Sequence, residues 1–287
     1  MSKAMAAHDL KALAERAAAV GKSGEPSFLQ AEVQAAFLLG RAPDASCVVA
    51  ASGIEARHDG GKWRLSGFAP AALVYVPNAL VAEGSRDCLV MAESPDGALA
   101  CRVPGNAAGV RVTAAQSLDG LAASDVRLDN VEVEARSLSR DAMTPSLIAL
   151  SAEIAGAAET ALDIACNRAR EHKVFGRTIG SYQALAHRLA DAKIDLEAMQ
   201  LALQEAVSVN DDFLALRATA LKALCSAAGP RIVATAQQVH GGEGYHADLP
   251  LHRFTRRVFG LSQRLGNPAA LHRRLLEGYF RPANSAA

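Results

Sequence analysis

At Thr144-Pro145-Ser146 the period of the sequence changes, and that change restricts the chain to folds that place a β-rich segment before a helical one. Upstream, short β-rich runs follow one another closely: Cys47 to Ala51, Lys62 to Ser66, Ala72 to Val76, Asp87 to Met91, Ala98 to Val103, Gly109 to Thr113 and Asp125 to Val133. His58-Asp59-Gly60-Gly61 and Pro95-Asp96-Gly97 have the composition of tight hairpin turns, so the runs predict an antiparallel β domain. Downstream, apolar residues recur at helical spacing almost to the end. This predicts helices at about 146 to 172, 182 to 208, 212 to 238 and 250 to 277, packed as an antiparallel four-helix bundle. Thr or Ser can cap the first and Pro145 suits its first turn, whereas Pro230 must kink or break the third. Before Cys47, Asp9 to Arg16 and Phe28 to Leu39 read as two helices, the second capped by Ser27. The expected division is 1–45, 46–140 and 141–287, with Pro282 to Ala287 a frayed tail.

Charge excludes some function classes. Lys+Arg and Asp+Glu number 30 each, so no electrostatic footprint for nucleic acid or an anionic membrane is present. The five cysteines (Cys47, Cys88, Cys101, Cys166, Cys225) lack metal or redox spacing and read as small buried hydrophobes of a reducing cytoplasm. The N-terminus has no apolar signal region and no run of 18 apolar residues occurs, so neither export nor a membrane span is implied. His187, His240 and His252 have no i, i+4 partner on one helix, which predicts capping or surface roles rather than a metal site.

The chemistry is concentrated at Gln238-Val239-His240-Gly241-Gly242-Glu243-Gly244-Tyr245, which closes one helical run before another opens. Three glycines in four positions let a backbone approach a ligand closely, typically one bearing phosphate. A plain helix C-cap is the bland alternative. Upstream stand His172-Lys173-Val174-Phe175-Gly176-Arg177 and, eight residues after Phe175, Gln183; downstream stands Pro250-Leu251-His252-Arg253-Phe254-Thr255-Arg256.

The Phe-Gly turn, the spaced Gln, the Gln-x-x-Gly-Gly-x-Gly-Tyr loop and the Pro-Leu-x-Arg-x-x-Arg tail together resemble the C-terminal helical domain of acyl-CoA dehydrogenases, over about 130 residues. The strand pair ending at Asp125 to Val133 is similar to the end of that family's middle domain. The resemblance implies an α+β fold with truncated N-terminal helices, a middle antiparallel β domain and a C-terminal four-helix bundle. It also implies FAD, an acyl-CoA substrate and an acceptor such as an electron-transfer flavoprotein.

Measured against that family, the chain keeps one half of a flavin site. The residues that reach across a dimer to the neighbour's FAD are matched by Phe175, Gln183, Gln238, Gly241 and Gly242, with His172 in place of an Arg. An arginine offers a permanent charge and a bidentate fork, which an imidazole does not. The segment that should hold the ring within one subunit, Gly67-Phe68-Ala69-Pro70-Ala71-Ala72-Leu73, lacks the Trp and the hydroxyl, Trp63 falling earlier; Leu39 to Ser46 matches the upstream loop poorly. The family's catalytic Glu falls at Leu265 by spacing, its alternative position falls at about Ser146, and Glu153 lies two turns further on, so no catalytic residue is assigned. Arg256-Arg257 replaces the family's Arg-Asp, and with Arg253, Arg273 and Arg274 forms a basic end. These departures imply a shortened, degenerate subunit of a heteromeric acyl-CoA dehydrogenase that contributes FAD contacts in trans. A longer paralogue would carry the Glu, and the substrate would be of the steroid side-chain CoA ester class by analogy. A homo-oligomer with a base such as Glu153 and a flavin-free scaffold are the alternatives.

Overall fold

The computed structural model of the chain describes residues 7–25, 27, 29–40, 43, 46–75, 87–95, 97–208 and 211–280. They form two compact units, one within residues 27–146 and the other combining residues 7–25 with 147–280. Helix α1 (Ala7–Ser23) belongs to the second unit and α2 (Leu29–Leu39) to the first.

In the first unit Ser27 caps α2 as its sequence predicts, its Oγ accepting the Leu29 N–H at 3.1 Å. Eight strands follow: β1 (Cys47–Ala50), β2 (Ile54–Asp59), β3 (Lys62–Tyr75), β4 (Asp87–Ser94), β5 (Gly97–Val103), β6 (Val110–Gln116), β7 (Ala122–Val133) and β8 (Ala135–Ser137). Their order in one sheet is β6-β7-β3-β1-β4-β5-β8, with β2 beside β3 and β4. Both expected hairpins are present, Asp59 pairing with Lys62 around Gly60-Gly61 and Ser94 pairing with Gly97. Val48, Ile54, Leu65, Val90, Val126 and Leu128 are among the buried residues of the core.

Two expectations for this sheet need correction. It is mixed, because β4 runs parallel to β1 and touches β2 in the same sense. A parallel pair needs a long connection, and the β2–β3 hairpin supplies part of it. The predicted strands Lys62 to Ser66 and Ala72 to Val76 are moreover one long strand, β3, which passes through register shifts at Leu65/Gly67 and Ala69/Ala72. An extra residue at a bulge inverts the in–out alternation, so one bulged strand reads in sequence as two short ones. Val76 lies outside the described residues, as do Arg41, Ala42, Asp44 and Ala45 of the loop from Leu39 to Ser46.

The second unit is helical: α3 (Thr144–Glu171) enters from the β unit, then α4 (Gln183–Ser208), α5 (Leu214–His240), α6 (Leu251–Gln263) and α7 (Pro268–Phe280). Every residue of α3 from Leu147 to Ala158 is buried. Small side chains make this central place feasible, and α1 lies directly on it. A Cβ at Gly21 would stand 2.1 Å from the Glu153 carbonyl oxygen, and one at Gly156 would stand 2.2 Å from that of Ala18. Residues 7–23 therefore pack with the C-terminal helices, although they precede the β strands in sequence.

The first three predicted bundle helices are found nearly as expected, and α5 continues through Pro230. The fourth, expected as one helix from 250 to 277, is broken into α6 and α7 at Arg264–Asn267. At the break Leu265 has φ +57° and Gly266 φ +121°, values outside a right-handed helix. Among the described residues no helix is long and apolar enough to cross a membrane. All five cysteines are free and all but Cys166 are buried; burial raises the thiol pKa of Cys88 and Cys101 to about 11 and that of Cys225 to about 12.

Candidate functional site

The residues singled out as cofactor contacts lie in the helical unit, on segments that are tied to one another. After α3 a small hairpin forms from β9 (Lys173–Val174) and β10 (Arg177–Thr178). His172 stands at its base, its N–H bonded to the Arg168 carbonyl and its carbonyl accepting the Ile179 N–H, each at 2.9 Å. Phe175 and Gly176 make the tip with φ +52° and +79°, the two positive values that a tight two-residue hairpin demands. A bulky side chain in that region is strained, and Phe175 is also 95% exposed. Nothing within its own unit accounts for such a phenyl.

The Tyr182 hydroxyl donates to the Val174 carbonyl at 3.0 Å and so ties the hairpin to the start of α4, whose first residue is the exposed Gln183. Helices α4 and α5 run antiparallel, linked by the Arg231–Asp195 ion pair with bonds of 3.0 and 2.8 Å. A groove of about 460 Å³ lies along them, lined in part by Arg188, Asp191, Arg231 and Thr235. One turn beyond Thr235, Gln238 is exposed.

Past α5 the glycine-rich segment forms a 3-10 turn over Gly241–Tyr245, and its glycines differ. Gly241 has φ +60° and ψ −138°, a conformation all but reserved for glycine. Gly244 is buried, and a Cβ there would stand 2.5 Å from Gln237 Oε1. Gly242 has neither constraint: an added Cβ would meet nothing within 4 Å. Its smallness is left for something outside the chain to use. An ion pair between Arg168 Nη2 and Glu243 Oε2, at 2.6 Å, holds this turn to the end of α3.

The six residues His172, Phe175, Gln183, Gln238, Gly241 and Gly242 thus sit on three anchored segments, with the Phe, both Gln and both Gly exposed. Arg168, Glu243 and Tyr182 were not singled out in the sequence. The signal for Arg168 was its place one helical turn before His172; nothing in the sequence pointed to its partner 75 positions away.

In the β unit, the segment that should cradle a flavin ring offers little to it. Ala71 has φ +47°, and its N–H is taken by Asp125 Oδ1 at 2.9 Å. Phe68 lies under the Arg127 guanidinium, 5.3 Å from the ring centroid. Trp63, on β3 itself rather than on a preceding strand, is packed edge-on against His58 at 4.9 Å and against the core.

No described carboxylate occupies either expected base position. Leu265 is 9% exposed at the α6–α7 break, its carbonyl accepting Arg274 Nη1 at 3.0 Å. Ser146 is wholly buried and its hydroxyl lacks a hydrogen-bond partner among the described residues. Glu153 is also wholly buried and ion-paired to Arg257, so the carboxylate has no open face toward a substrate. Arg253 pairs with Glu25 at 2.8 Å, so much of the basic end serves the fold. His240 and His252 bond carbonyls of Ala236 and Leu249 through Nδ1 at 2.9 and 2.7 Å.

Residues 138–271 match the family described as acyl-CoA dehydrogenase, C-terminal domain. The chain is 33% identical over 182 residues to acyl-CoA dehydrogenase FadE27 of Mycobacterium tuberculosis, an alignment covering 58% of this chain and 49% of that protein. It is 37% identical over 110 residues to 3-sulfinopropanoyl-CoA desulfinase of Paraburkholderia xenovorans, covering 37% and 28%. The chain therefore spans half or less of the length of these curated relatives. Its fold superposes on a chain of the ChsE4-ChsE5 complex from Mycobacterium tuberculosis with a TM-score of 0.78 at 26% identity, over 96% of this chain and 82% of that one. A variant of the Tcur3481-Tcur3483 steroid acyl-CoA dehydrogenase gives 0.77 at 27% identity, over 93% and 80%. Fold and motif together define a protein built as an acyl-CoA dehydrogenase is built, with a β unit followed by a helical one. Residues 138–271 are thus similar to an acyl-CoA dehydrogenase C-terminal domain, and the chain has an acyl-CoA dehydrogenase-like fold.

Proposed function

We propose that this chain is the cofactor-covering, non-catalytic subunit of a heteromeric, FAD-dependent acyl-CoA dehydrogenase. One observation carries the reading: the exposed set of Phe175, Gln183, Gln238, Gly241 and Gly242 is intact on the helical unit, while the corresponding ring-holding segment of the β unit is apolar and has its Ala71 N–H already bonded. The residues present fit half a flavin site, and the half they fit is the one a neighbour would use. When bound, the flavin would supply the hydride acceptor. Phe175 would cover it, the two glutamines would hydrogen-bond its polar edge, and the open backbone at Gly241-Gly242 would allow close approach.

The reaction would be the α,β-dehydrogenation of an acyl-CoA thioester, with the base and the ring pocket supplied by a longer paralogue. Likeness to a steroid acyl-CoA dehydrogenase favours a steroid side-chain thioester as substrate. A relative that is a subunit of a caffeyl-CoA reductase-Etf complex favours an electron-transfer flavoprotein as acceptor. Absorbance near 450 nm, measured on the chain purified alone and with a co-expressed paralogue, tests the reading. Flavin is expected only in the second preparation; stoichiometric flavin on the lone chain, or none in the complex, would sink it.

A further inference from the structure

A flavin dinucleotide carries a diphosphate, and on this surface the position where an arginine was expected holds His172. Three basic side chains border the same hairpin. Arg168 is engaged, its Nη2 bridging to Glu243 at 2.6 Å. Lys173 is an exposed ammonium on a flexible stem. Arg177 is held differently. Its guanidinium carbon lies over the Tyr182 ring, 3.9 Å from the centroid, and no carboxylate pairs with it among the described residues.

The platform beneath it is itself fixed. The Tyr182 hydroxyl is bonded to the Val174 carbonyl at 3.0 Å, and Val174 is the cross-strand partner of Arg177. A guanidinium held over an aromatic face and paired to no carboxylate keeps N–H donors for phosphate oxygens, in a fork that suits two of them. Phe175 is two residues away, Gln183 follows Tyr182 directly, and the positive end of the 26-residue α4 opens there.

We infer that Arg177, presented on the Tyr182 ring, is the side chain that binds the anionic diphosphate of a dinucleotide at this surface. The inference rests on the cofactor-covering role but not on the partner's identity. The shared chemistry is a diphosphate, which both FAD and coenzyme A carry; FAD is the source that Phe175 and Gln183 favour.

The test titrates the full chain with inorganic pyrophosphate. Saturable binding is expected, about tenfold weaker in Arg177→Gln and less impaired in Arg177→Lys, because a charge-assisted bond is lost in the first and only the fork in the second. Tyr182→Leu should weaken binding and Tyr182→Phe should keep most of it, which separates the platform from the hydroxyl. Added salt should weaken the wild type more than Arg177→Gln. FAD should displace the bound pyrophosphate more effectively than coenzyme A. Equal affinity of wild type and Arg177→Gln, no saturable binding, or preferential displacement by coenzyme A would overturn the inference. A flavin-free complex whose pyrophosphate binding still depends on Arg177 would remove the cofactor-covering reading and leave the anion site standing.

Discussion

Arg257 on α6 and Glu153 on α3 face each other where neither side chain is more than 3% exposed, and Arg257 Nε donates to Glu153 Oε1 at 2.6 Å. The pair joins the acid weighed as an alternative base to an arginine of the basic end. Removing one partner leaves the other charged and buried, so Arg257→Ala or Glu153→Ala should each cost about 3–5 kcal/mol of stability. Arg257→Met combined with Glu153→Leu should lose far less. Urea unfolding of the three variants checks this; equal losses in single and double variants would mean that packing, not charge, is what the pair supplies.

Lys222 should make stability depend on pH. It is wholly buried on α5, with Nζ bonded to Ser226 Oγ at 2.6 Å and close to the Ser262 carbonyl at 3.4 Å, and burial lowers its pKa from 10.5 to about 7. The unfolded chain then binds the extra proton between those values, so stability rises with pH across that window. The slope is about 1.4 kcal/mol per pH unit for one proton, and the penalty is fully present below about pH 7. Above about pH 9 the buried thiols act in the opposite sense, because Cys88, Cys101 and Cys225 ionise more readily unfolded than folded. Urea midpoints should therefore climb from pH 7 to about 9 and then fall, because three thiols outweigh one lysine, and Lys222→Met should abolish the climb.

The glycines of the 3-10 turn should separate by mechanism. Gly242→Ala meets no neighbour, so its melting temperature should match the wild type while flavin is lost more readily from the assembled complex. Gly241→Ala is strained by its backbone and should cost on the order of 1–3 kcal/mol. Combined with Gln238→Ala it should release flavin outright. Thermal unfolding and flavin fluorescence, read on the same samples, distinguish the cases; a Gly242→Ala complex that retains flavin normally would show that nothing approaches that backbone.

Stoichiometry should be one FAD for each pair of unlike subunits, since this chain can cover a site but lacks the groups to build one. Leu265→Glu should not give the lone chain turnover, because a carboxylate there has no hydride acceptor to work with. Native mass spectrometry and an acyl-CoA oxidation assay test both statements. Two FAD per unlike pair, or turnover by the lone chain, would contradict them.

The helices and the two turns that carry the candidate residues were legible in the sequence because their signals are local: a 3.6-residue period, a glycine cluster, a Phe-Gly turn. What the sequence concealed depends on contacts between distant positions. Nothing local marks Gly21 and Gly156 as the positions through which α1 and α3 touch. Glu153 and Arg257 are 104 positions apart, and each alone looks like surface charge. The break at Leu265 was the exception, marked locally by Gly266-Asn267-Pro268 and masked only by an apolar period that continues past it. In β3 the bulges disguised one strand as two, since alternation is a reliable guide only while the register holds.

The hairpin tip at Phe175 also bears on how the cell must handle this chain. A fully displayed phenyl on a strained turn is the kind of surface that quality-control machinery and stray neighbours recognise, and it stays displayed until something docks over it. On the proposed reading, dosage becomes part of the design. Synthesis in step with the partner would keep few copies uncovered, whereas excess copies would be lost to aggregation or degradation before they met a flavin.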